Sequence, residues 1–358
     1  MPTSTADETS AAAPAPRRRR PVRTFLVALT ALILVPTVAL AGVALYLEHR
    51  LTGQVHRIDD VFTGLSDRPA KPAGAARGSV NILLLGTDRR SDEPTTGRDA
   101  AAPTWLPGAQ RSDAIMILHI DGDRRGASVV SIPRDAWVPI PGHGMGKINA
   151  AFSYGGPSLA VQTVERLADV RIDHLAVIDW DGFRRLTDEL GGVTLDIPRT
   201  VHDGYRDITW TAGRHRLNGD QALAYVGQRA GLPGGDFDRI HRQQYFLRTL
   251  LDETLTQELV RSPKKVYGIL DVLTENLSVD SGWSVGEMRS LLMSLRHLRS
   301  AGIEYMTVPL VGTGTEGSQS VVRLDDRRGR HMWRAVRSDT VPEWLVEHPD
   351  DGIPVLVS

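Results

Sequence analysis

The sequence contains no cysteine among its 358 residues. This absence excludes thiol catalysis, disulfide bonds and thiolate metal sites. An excess of positive charge is missing too, because 42 Lys and Arg residues are balanced by 43 Asp and Glu residues. Domains that bind nucleic acid usually need a strongly basic surface, so the charge gives no reason to expect a nucleic-acid partner.

Common catalytic motifs are also missing. There is no H-E-x-x-H pair, which argues against a zinc peptidase. Gly142–Lys147 lacks the spacing and the Ser or Thr of an NTP-binding loop. Gly312–Gly317 matches G-x-G-x-x-G, but the β-like Ser318–Leu324 follows it where a dinucleotide site needs a helix, so a loop is predicted. His119, inside a predicted strand, is expected to be a core histidine and not a metal ligand.

Charged residues are absent from Thr24–Leu47, directly after an arginine-rich stretch, Arg17–Arg23. A helix of this length would span roughly 36 Å, against about 30 Å for the hydrocarbon core of a bilayer. By the positive-inside rule, the arginines place the N-terminus in the cytoplasm. The pattern predicts a single-pass protein of the cell membrane whose main domain is extracytoplasmic.

A cleaved signal peptide is the alternative, since Ala39–Ala41 resembles a cleavage site. The apolar run continues past it to Leu47, which favours an uncleaved anchor. Both interpretations export the rest of the chain.

The expected organisation has five parts. They are a disordered cytoplasmic tail at 1–23, a transmembrane helix at 24–47, a linker at 48–78, an extracytoplasmic catalytic domain at 79–338 and a C-terminal tail at 339–358. The linker is assigned because Arg68–Gly78 is rich in Pro, Ala and Gly.

Strands and helices alternate within the predicted domain. Val80–Leu85, Ala114–Ile120 and Ala127–Ile132 are short apolar runs typical of buried strands. A long helix is predicted from Asp236 to about residue 258, and Ser284 with its capping-box partner Glu287 begins another. The predicted class is therefore α/β, with a central mixed β-sheet covered by helices on both faces.

Arg and Asp residues stand at the ends of the predicted strands. Asp88 follows the first strand, Arg111 and Asp113 precede the second, and Arg134 follows the third. Because ligands of α/β sheets gather in the loops at strand ends, we expect these side chains to converge.

A second set of polar residues begins the long helix. Asp236, Arg239 and Gln243 have the spacing of one helix face, and Arg229 precedes them by a glycine-rich loop. Arg242 is displaced by about 100° and is a weaker candidate.

Arginines and paired carboxylates suit a diphosphate diester. Arginine binds phosphate bidentately and keeps its charge. Two carboxylates suit one Mg²⁺ that also bridges to phosphate oxygens. A single Asp–Arg pair is more often a solvated surface ion pair, so the prediction depends on several pairs meeting in one site.

At these positions the chain resembles the LytR-CpsA-Psr family of cell-wall glycopolymer ligases. The resemblance covers residues 79 to about 260 well and continues more weakly to about 338. The matching segments are Asn81–Asp88, Arg111–Asp113, Ser131–Asp135, Lys147–Ala151, Leu190–Val193, Leu217–Val226, Gly234–Arg239 and Arg242–Gln244.

The resemblance implies a membrane-anchored phosphotransferase with an α-β-α domain. Such a protein takes a glycopolymer from a polyprenyl-pyrophosphate carrier and joins it to peptidoglycan through a phosphodiester, assisted by Mg²⁺ or Mn²⁺. Asp88 and Asp113 resemble the metal-binding pair, and Asp236 resembles an acidic residue near the acceptor. The residues that resemble the pyrophosphate-binding set are Arg90, Arg111, Arg134, Arg229, Arg239 and Gln243.

The predicted catalytic residues are accordingly Asp88, Arg111, Asp113 and Asp236. Either Asp88 or Asp236 would accept the proton of the acceptor hydroxyl. Two rival functions use the same site. Hydrolysis would employ water as the acceptor, and a non-catalytic envelope binding or regulatory protein would hold the lipid without turnover.

One departure from the family favours the non-catalytic alternative. The family usually reads Tyr-Val-Arg-x-Arg, whereas this chain has Gly227 within Tyr225–Arg229. The helix is expected to end near Val226, because two arginines two residues apart cannot share a helix face. Losing one charge-assisted contact would cost on the order of 10- to 100-fold in binding, unless Arg89 or Arg242 compensates.

Overall fold

The computed structural model describes residues 55–88, 93–254, 263–298 and 300–352. Within these ranges, no helix combines the length and apolar character that crossing a bilayer requires. The predicted tail at 1–23 and the predicted transmembrane helix at 24–47 lie outside the described residues.

Short strands and longer helices alternate along the described chain. The strands are β1 (His56–Ile58), β2 (Val80–Thr87), β3 (Ser112–Ile120), β4 (Ala127–Ser131), β5 (Trp137–Ile140), β6 (Gly144–Lys147), β7 (His174–Asp179), β8 (Val193–Ile197), β9 (Val201–Asp203), β10 (Ile208–Trp210), β11 (Gly213–Leu217), β12 (Ser278–Asp280), β13 (Ile303–Thr307), β14 (Leu310–Glu316) and β15 (Gln319–Leu324). The helices are α1 (Asn149–Ala168), α2 (Trp180–Glu189), α3 (Gly219–Gly227), α4 (Asp236–Thr254), α5 (Pro263–Asn276), α6 (Val285–Ser294), α7 (Asp326–Arg337) and α8 (Val341–Glu347).

Seven of these strands form the central sheet, in the order β1-β12-β7-β2-β3-β4-β13. Strand β2 is antiparallel to β3 and parallel to β7, and β4 is parallel to β13. The sheet is therefore mixed, as the sequence predicted. Its central strands, β2 to β4, are the apolar runs identified from the sequence.

Helices cover both faces of this sheet, because successive side chains of a strand point to opposite sides. On one face, Leu83 of β2 belongs to a core with Phe152 of α1 and Trp333 of α7. On the other face, its neighbour Ile82 belongs to a core with Leu270 of α5. The predicted α/β class with helices on both faces is confirmed. The capping box of Ser284 at the start of α6 is also present.

The borders of the domain differ from the prediction. Residues 56–58 form β1, which pairs with β12, and Val61 is buried in the core, so the fold begins before residue 79. Residues beyond 338 are not a loose tail either. Val341 and Trp344 of α8 are buried in the same core as α7, because their apolar side chains complete its surface.

One local prediction is also corrected. Gly312–Gly317 is not a loop: most of it lies in β14, which pairs with β15 in a hairpin. Helix α1 begins at Asn149 and contains Pro157. Its backbone leaves helical geometry at Gly155 and Gly156, and this break accommodates the proline.

Candidate functional site

A β-bulge shapes the end of β2 and β3. Gly86 is opposite Ala114 and Thr87 is opposite Ser112, so Asp113 is an extra residue without a partner on β2. A Cβ on Gly86 would lie 3.1 Å from the Cβ of Ala114, which explains the need for glycine at this close approach. Bulges redirect side chains at sheet edges, and this one redirects Asp113.

Asp88 lies directly beyond the same strand end. Its backbone N–H donates to the carbonyl of Arg111 at 3.0 Å, and its Oδ1 accepts from the backbone N–H of Arg111 at 2.5 Å. These two bonds fix Asp88 beside the bulge. The side chain of Arg111 is exposed to solvent, so its contribution to the position of Asp88 comes from its backbone.

Asp113 pairs with Arg134, which follows β4. Arg134 Nη1 lies 2.5 Å from Asp113 Oδ1, and its Nη2 lies 3.8 Å from Asp236 Oδ1. Burial on its own would lower the pKa of Arg134, but the carboxylates of Asp113, Asp236 and Asp135 outweigh it and raise that pKa. Arg134 therefore joins the strand end to the start of α4.

Asp236, the first residue of α4, is the centre of the ion pairs. Its Oδ1 lies 2.9 Å from Arg239 Nη2 and 3.5 Å from Arg229 Nε, in addition to its contact with Arg134. A carboxylate at a helix N-terminus is favoured by the helix dipole. Three guanidinium groups thus surround one carboxylate. We call the set Asp113, Arg134, Arg229, Asp236 and Arg239 the strand-end cluster.

Arg239 is the buried member of the strand-end cluster. Only 3% of its surface is exposed, and its Nε has no hydrogen-bond partner among the described residues. Burial lowers the pKa of Arg239 to about 10, with Asp236 opposing the shift and Arg134 and Arg229 adding to it. The guanidinium remains charged at neutral pH, and the shift means that holding this charge costs about 3 kcal/mol. A bound anion would offset that cost.

Two other predicted site residues, Gln243 and Arg111, are not members of the strand-end cluster. Gln243 is half-buried on α4, one turn beyond Arg239. Arg111 forms no ion pair with the cluster in the described part of the chain. Arg90 lies outside the described residues, so its prediction is untested.

Two contacts that fix the site were not predicted from the sequence. Lys147 Nζ lies 3.0 Å from Asp135 Oδ1, next to Arg134. Gln244 Nε2 donates to Ser131 Oγ and to the carbonyl of Met306, both at 2.7 Å, which ties α4 to β4 and β13. Both Lys147 and Gln244 lie in segments that carried the family resemblance, but their partners depend on tertiary packing.

The donors at the bulge fit a divalent cation. Asp88 and Asp113 supply carboxylate oxygens, the ligands that Mg²⁺ and Mn²⁺ prefer. Thr87 and Ser112 are opposite each other at the bulge, and both hydroxyls are buried without a hydrogen-bond partner among the described residues. Two carboxylates brought to one strand end suit a hard cation and its water shell.

Gly227 has an arginine beside it. Helix α3 ends at Gly227 and the next residue is extended, as predicted from the sequence. A Cβ on Gly227 would lie 3.0 Å from Nη2 of Arg206. Arg206 follows β9 and is held by the buried Asp203, with 3.0 Å between Nη1 and Oδ2. A guanidinium group therefore occupies the space next to the missing side chain.

Arg242 does not fill this space. It is fully buried, lies 4.2 Å from the ring centre of Tyr225 and donates to Gln228 Oε1 at 2.6 Å. These contacts hold the extended segment after α3 against α4. The other arginine considered from the sequence, Arg89, lies outside the described residues.

Known proteins are similar to this chain in sequence or in fold. The cell wall biosynthesis protein LcpA of Corynebacterium glutamicum is 29% identical over 335 residues, which cover 83% of this chain and 63% of LcpA. The probable cell wall biosynthesis protein LcpB of the same organism is 32% identical over 287 residues, covering 78% and 66% of the two chains. A structure of TagT bound to LI-WTA, a protein of Bacillus subtilis, is 25% identical with a TM-score of 0.58, covering 77% of this chain and 97% of that one.

The chain thus spans just under two thirds of the length of both curated relatives. The sequence pattern of the LytR_cpsA_psr family matches residues 53–338, a range that includes the bulge, the strand-end cluster and the central sheet. This protein belongs to the LytR_cpsA_psr family.

Proposed function

We propose that this protein transfers a glycopolymer from a polyprenyl-pyrophosphate carrier to peptidoglycan, forming a phosphodiester bond. The observation that carries the proposal is the buried Arg239, whose Nε donor lacks a partner among the described residues and whose neighbours include two more guanidinium groups. Among the described residues, Arg229 and Arg239 share the single carboxylate of Asp236, and a pyrophosphate would supply further oxygen acceptors for them. The LI-WTA bound to TagT and the names of LcpA and LcpB support a cell-wall substrate.

In this proposal, the arginines of the strand-end cluster hold the pyrophosphate. Arg239 and Arg134 contact it from the buried side, and Arg229, which is 49% exposed, closes over it from solvent. Each charge-assisted hydrogen bond to phosphate contributes about 1.5–3 kcal/mol. Asp236 keeps the three guanidinium groups directed at one point before the substrate binds.

The reaction is a substitution at phosphorus. The acceptor hydroxyl oxygen of peptidoglycan attacks the sugar-bearing phosphorus and forms the new P–O bond. The anhydride P–O bond breaks, and polyprenyl phosphate leaves with the bridging oxygen and its electron pair. The hydroxyl proton passes to a carboxylate, either Asp88 or Asp236. The arginines stabilise the charge that develops on the phosphoryl oxygens.

Asp88 and Asp113 would hold a divalent cation, Mg²⁺ or Mn²⁺. When bound, the cation neutralises charge on the pyrophosphate oxygens. The chain's own contribution is to place the two carboxylates at one strand end, with the bulge setting the direction of Asp113 and Arg111 fixing Asp88 through its backbone.

The proposal also includes a place of action. A membrane anchor at 24–47 would keep the domain at the outer surface of the cell membrane, where the lipid carrier and peptidoglycan meet. The charge-free run after the arginine-rich stretch supports this localisation.

The test uses the full-length chain in detergent with Mg²⁺, a polyprenyl-pyrophosphate-linked oligosaccharide and peptidoglycan fragments. We expect a glycan–peptidoglycan conjugate and an equal amount of polyprenyl phosphate. Asp113→Asn should lower the rate about 100-fold, because it breaks the pair with Arg134 and removes a metal ligand. The matched control is Asp207→Asn, since the Asp207 side chain is 97% exposed on the turn between β9 and β10 and its ion-pair neighbour is His202. An Asp113→Asn rate equal to that of the control would contradict the assignment.

Gly227 favours a second candidate, a binding protein without turnover. The same assay separates the candidates by their products. Polyprenyl phosphate with free glycan and no conjugate would indicate hydrolysis. Tight retention of the lipid-linked oligosaccharide without any product would indicate a binding or regulatory role.

A further inference from the structure

The opposite end of β3 carries a second group of ionisable side chains. His119 is completely buried, and its Nε2 lies 2.9 Å from Asp339 Oδ1 and 3.4 Å from Asp121 Oδ1. Asp339 comes from the connection between α7 and α8, and Asp121 from the turn after β3. We call His119, Asp121 and Asp339 the His119 cluster.

The orientation of the His119 ring is fixed by Asn81 on β2. Asn81 Nδ2 donates to the carbonyl of Arg171 at 2.9 Å, which turns Asn81 Oδ1 towards His119 Nδ1 at 2.7 Å. Because Asn81 Oδ1 only accepts, Nδ1 of the histidine carries a hydrogen. The other nitrogen, Nε2, faces two carboxylates. Metal-binding histidines typically donate their remote N–H to an oxygen in this way.

The two carboxylates are also held in place. Asp339 has a left-handed backbone, with φ of 55°, and its Oδ2 accepts from the backbone N–H of Gly122 at 2.8 Å. Its Oδ1 is therefore turned to His119. Asp123 and Glu343 add negative charge near Asp121. Arg124 offsets part of this charge near Asp339, but the acidic groups around the ring outnumber the basic ones.

We propose that the His119 cluster binds one divalent metal ion of the Zn²⁺ type. The ligand atoms are His119 Nε2 and one oxygen each from Asp121 and Asp339, which lie within 4.8 Å of one another. Zn²⁺ takes such ligands at about 2.0–2.2 Å, so atoms around it are about 3.3 Å apart in a tetrahedron. The observed separations of 2.9 and 3.4 Å need little adjustment. Water fills the fourth position through the partly exposed side of Asp121.

The ion would act as a structural link. It joins the end of β3 to the segment that connects α7 with α8, so it attaches the C-terminal helices to the central sheet. His119 stands six residues from Asp113 along β3, roughly 20 Å away. The ion is therefore separate from the cation proposed for Asp88 and Asp113.

The test measures bound Zn²⁺ directly. The full-length chain in detergent is stripped with a chelator, incubated with Zn²⁺, freed of excess metal by gel filtration and analysed by mass spectrometry for zinc per chain. All variants carry Asp113→Asn, which weakens the other cation site. We expect that adding His119→Gln or Asp121→Asn removes one equivalent of zinc. The same changes should abolish a rise in melting temperature on the order of 5 °C at saturating Zn²⁺.

His331→Gln is the matched control, because His331 is an exposed histidine on α7. It should retain the full amount of zinc. Asp121→Asn is included because the partly exposed Asp121 tolerates substitution if His119→Gln prevents folding. The proposal is overturned if the Asp113→Asn chain binds no Zn²⁺, or if Asp121→Asn binds as much as the control. Neither result depends on transfer activity, so the proposed function can fail or succeed separately.

Discussion

The two ends of β3 both carry ionisable side chains, yet they are built differently. At the end near Asp113, the groups are partly open to solvent, and the buried Arg239 has a donor without a partner among the described residues. At the end near His119, the ring is fully buried and both of its nitrogens face oxygen atoms. The end near Asp113 therefore suits a substrate that binds and is released, and the end near His119 suits a permanently bound ion.

Stability and activity should therefore separate along one strand. Removing the buried positive charge of Arg239 from the strand-end cluster should cost activity with little change in stability, because the unoccupied site carries the cost of that charge. Removing a group from the His119 cluster should cost stability with little change in activity, because its partners would remain buried and unpaired.

The largest effect is expected from Arg239→Met. Transfer activity should fall about 100- to 1000-fold, since a preorganised donor for the phosphoryl oxygens is lost. The melting temperature should change by less than about 3 °C, because the cost of a buried charge is removed while Asp236 keeps Arg134 and Arg229 as partners. Arg248→Met, on the same helix, is the control and should keep its activity. Equal loss of activity in Arg239→Met and Arg248→Met would contradict a specific role of Arg239 in transfer.

The next largest effect is expected on stability, from a change in the His119 cluster. His119→Leu should lower the free energy of unfolding by about 3 kcal/mol, because Asn81 and Asp339 lose their shared partner. Urea denaturation in the presence of a chelator measures this without metal. The transfer rate per folded molecule should match wild type. A large drop in that rate would mean that the two ends are coupled.

A smaller effect tests the arginine beside Gly227. Arg206→Gln should weaken substrate binding about 10-fold, the value of one charge-assisted contact. Combining it with Gly227→Arg should restore binding to within about threefold, because the new side chain starts where the Arg206 guanidinium lies. Arg214→Gln, an exposed change on β11, is the control. If Arg206→Gln binds like the control, Arg206 does not compensate for Gly227.

The smallest effect concerns pH at His241, on the helix that carries Arg239. Burial lowers the pKa of His241, with Asp238 opposing the shift. The unfolded chain therefore takes up a proton at a higher pH than the folded chain, and stability falls as pH drops below about 6.5. His241→Gln should lose less stability than wild type between pH 7 and pH 5 in urea denaturation. An identical pH dependence of the two proteins would contradict this assignment.

Much of the fold was readable from the sequence because it depends on local patterns. The apolar runs of β2 to β4 and the start of α4 at Asp236 are determined by residues close in the chain. Helix α8 was missed, since Val341 and Trp344 are too few to show a period and become informative only against α7. Strand β1 was missed because three residues gain their structure from pairing with β12.

The candidate site, like the fold, was predictable where it depends on residues close together in the chain. The sequence identified all five members of the strand-end cluster, because strand ends and helix faces follow from spacing. It could not reveal the bulge at Asp113, which depends on how β2 and β3 align. Nor could it identify the His119 cluster, since Asp339 lies 220 residues from His119 in the chain. The sequence predicted that His119 is an ordinary core histidine, whereas the proposed metal site follows from the folded arrangement alone.

Helix α8 has a practical consequence for anyone who produces this domain. The family pattern ends at residue 338, so a shortened version of the protein could be designed to end at that position. Such a version would lack Val341 and Trp344, which share a buried core with Met332 and Val336 of α7, and it would lose Asp339 as well. Low yield or aggregation of a protein truncated at residue 338 would reflect the missing part of the core. Extending the chain to residue 352 should restore folding.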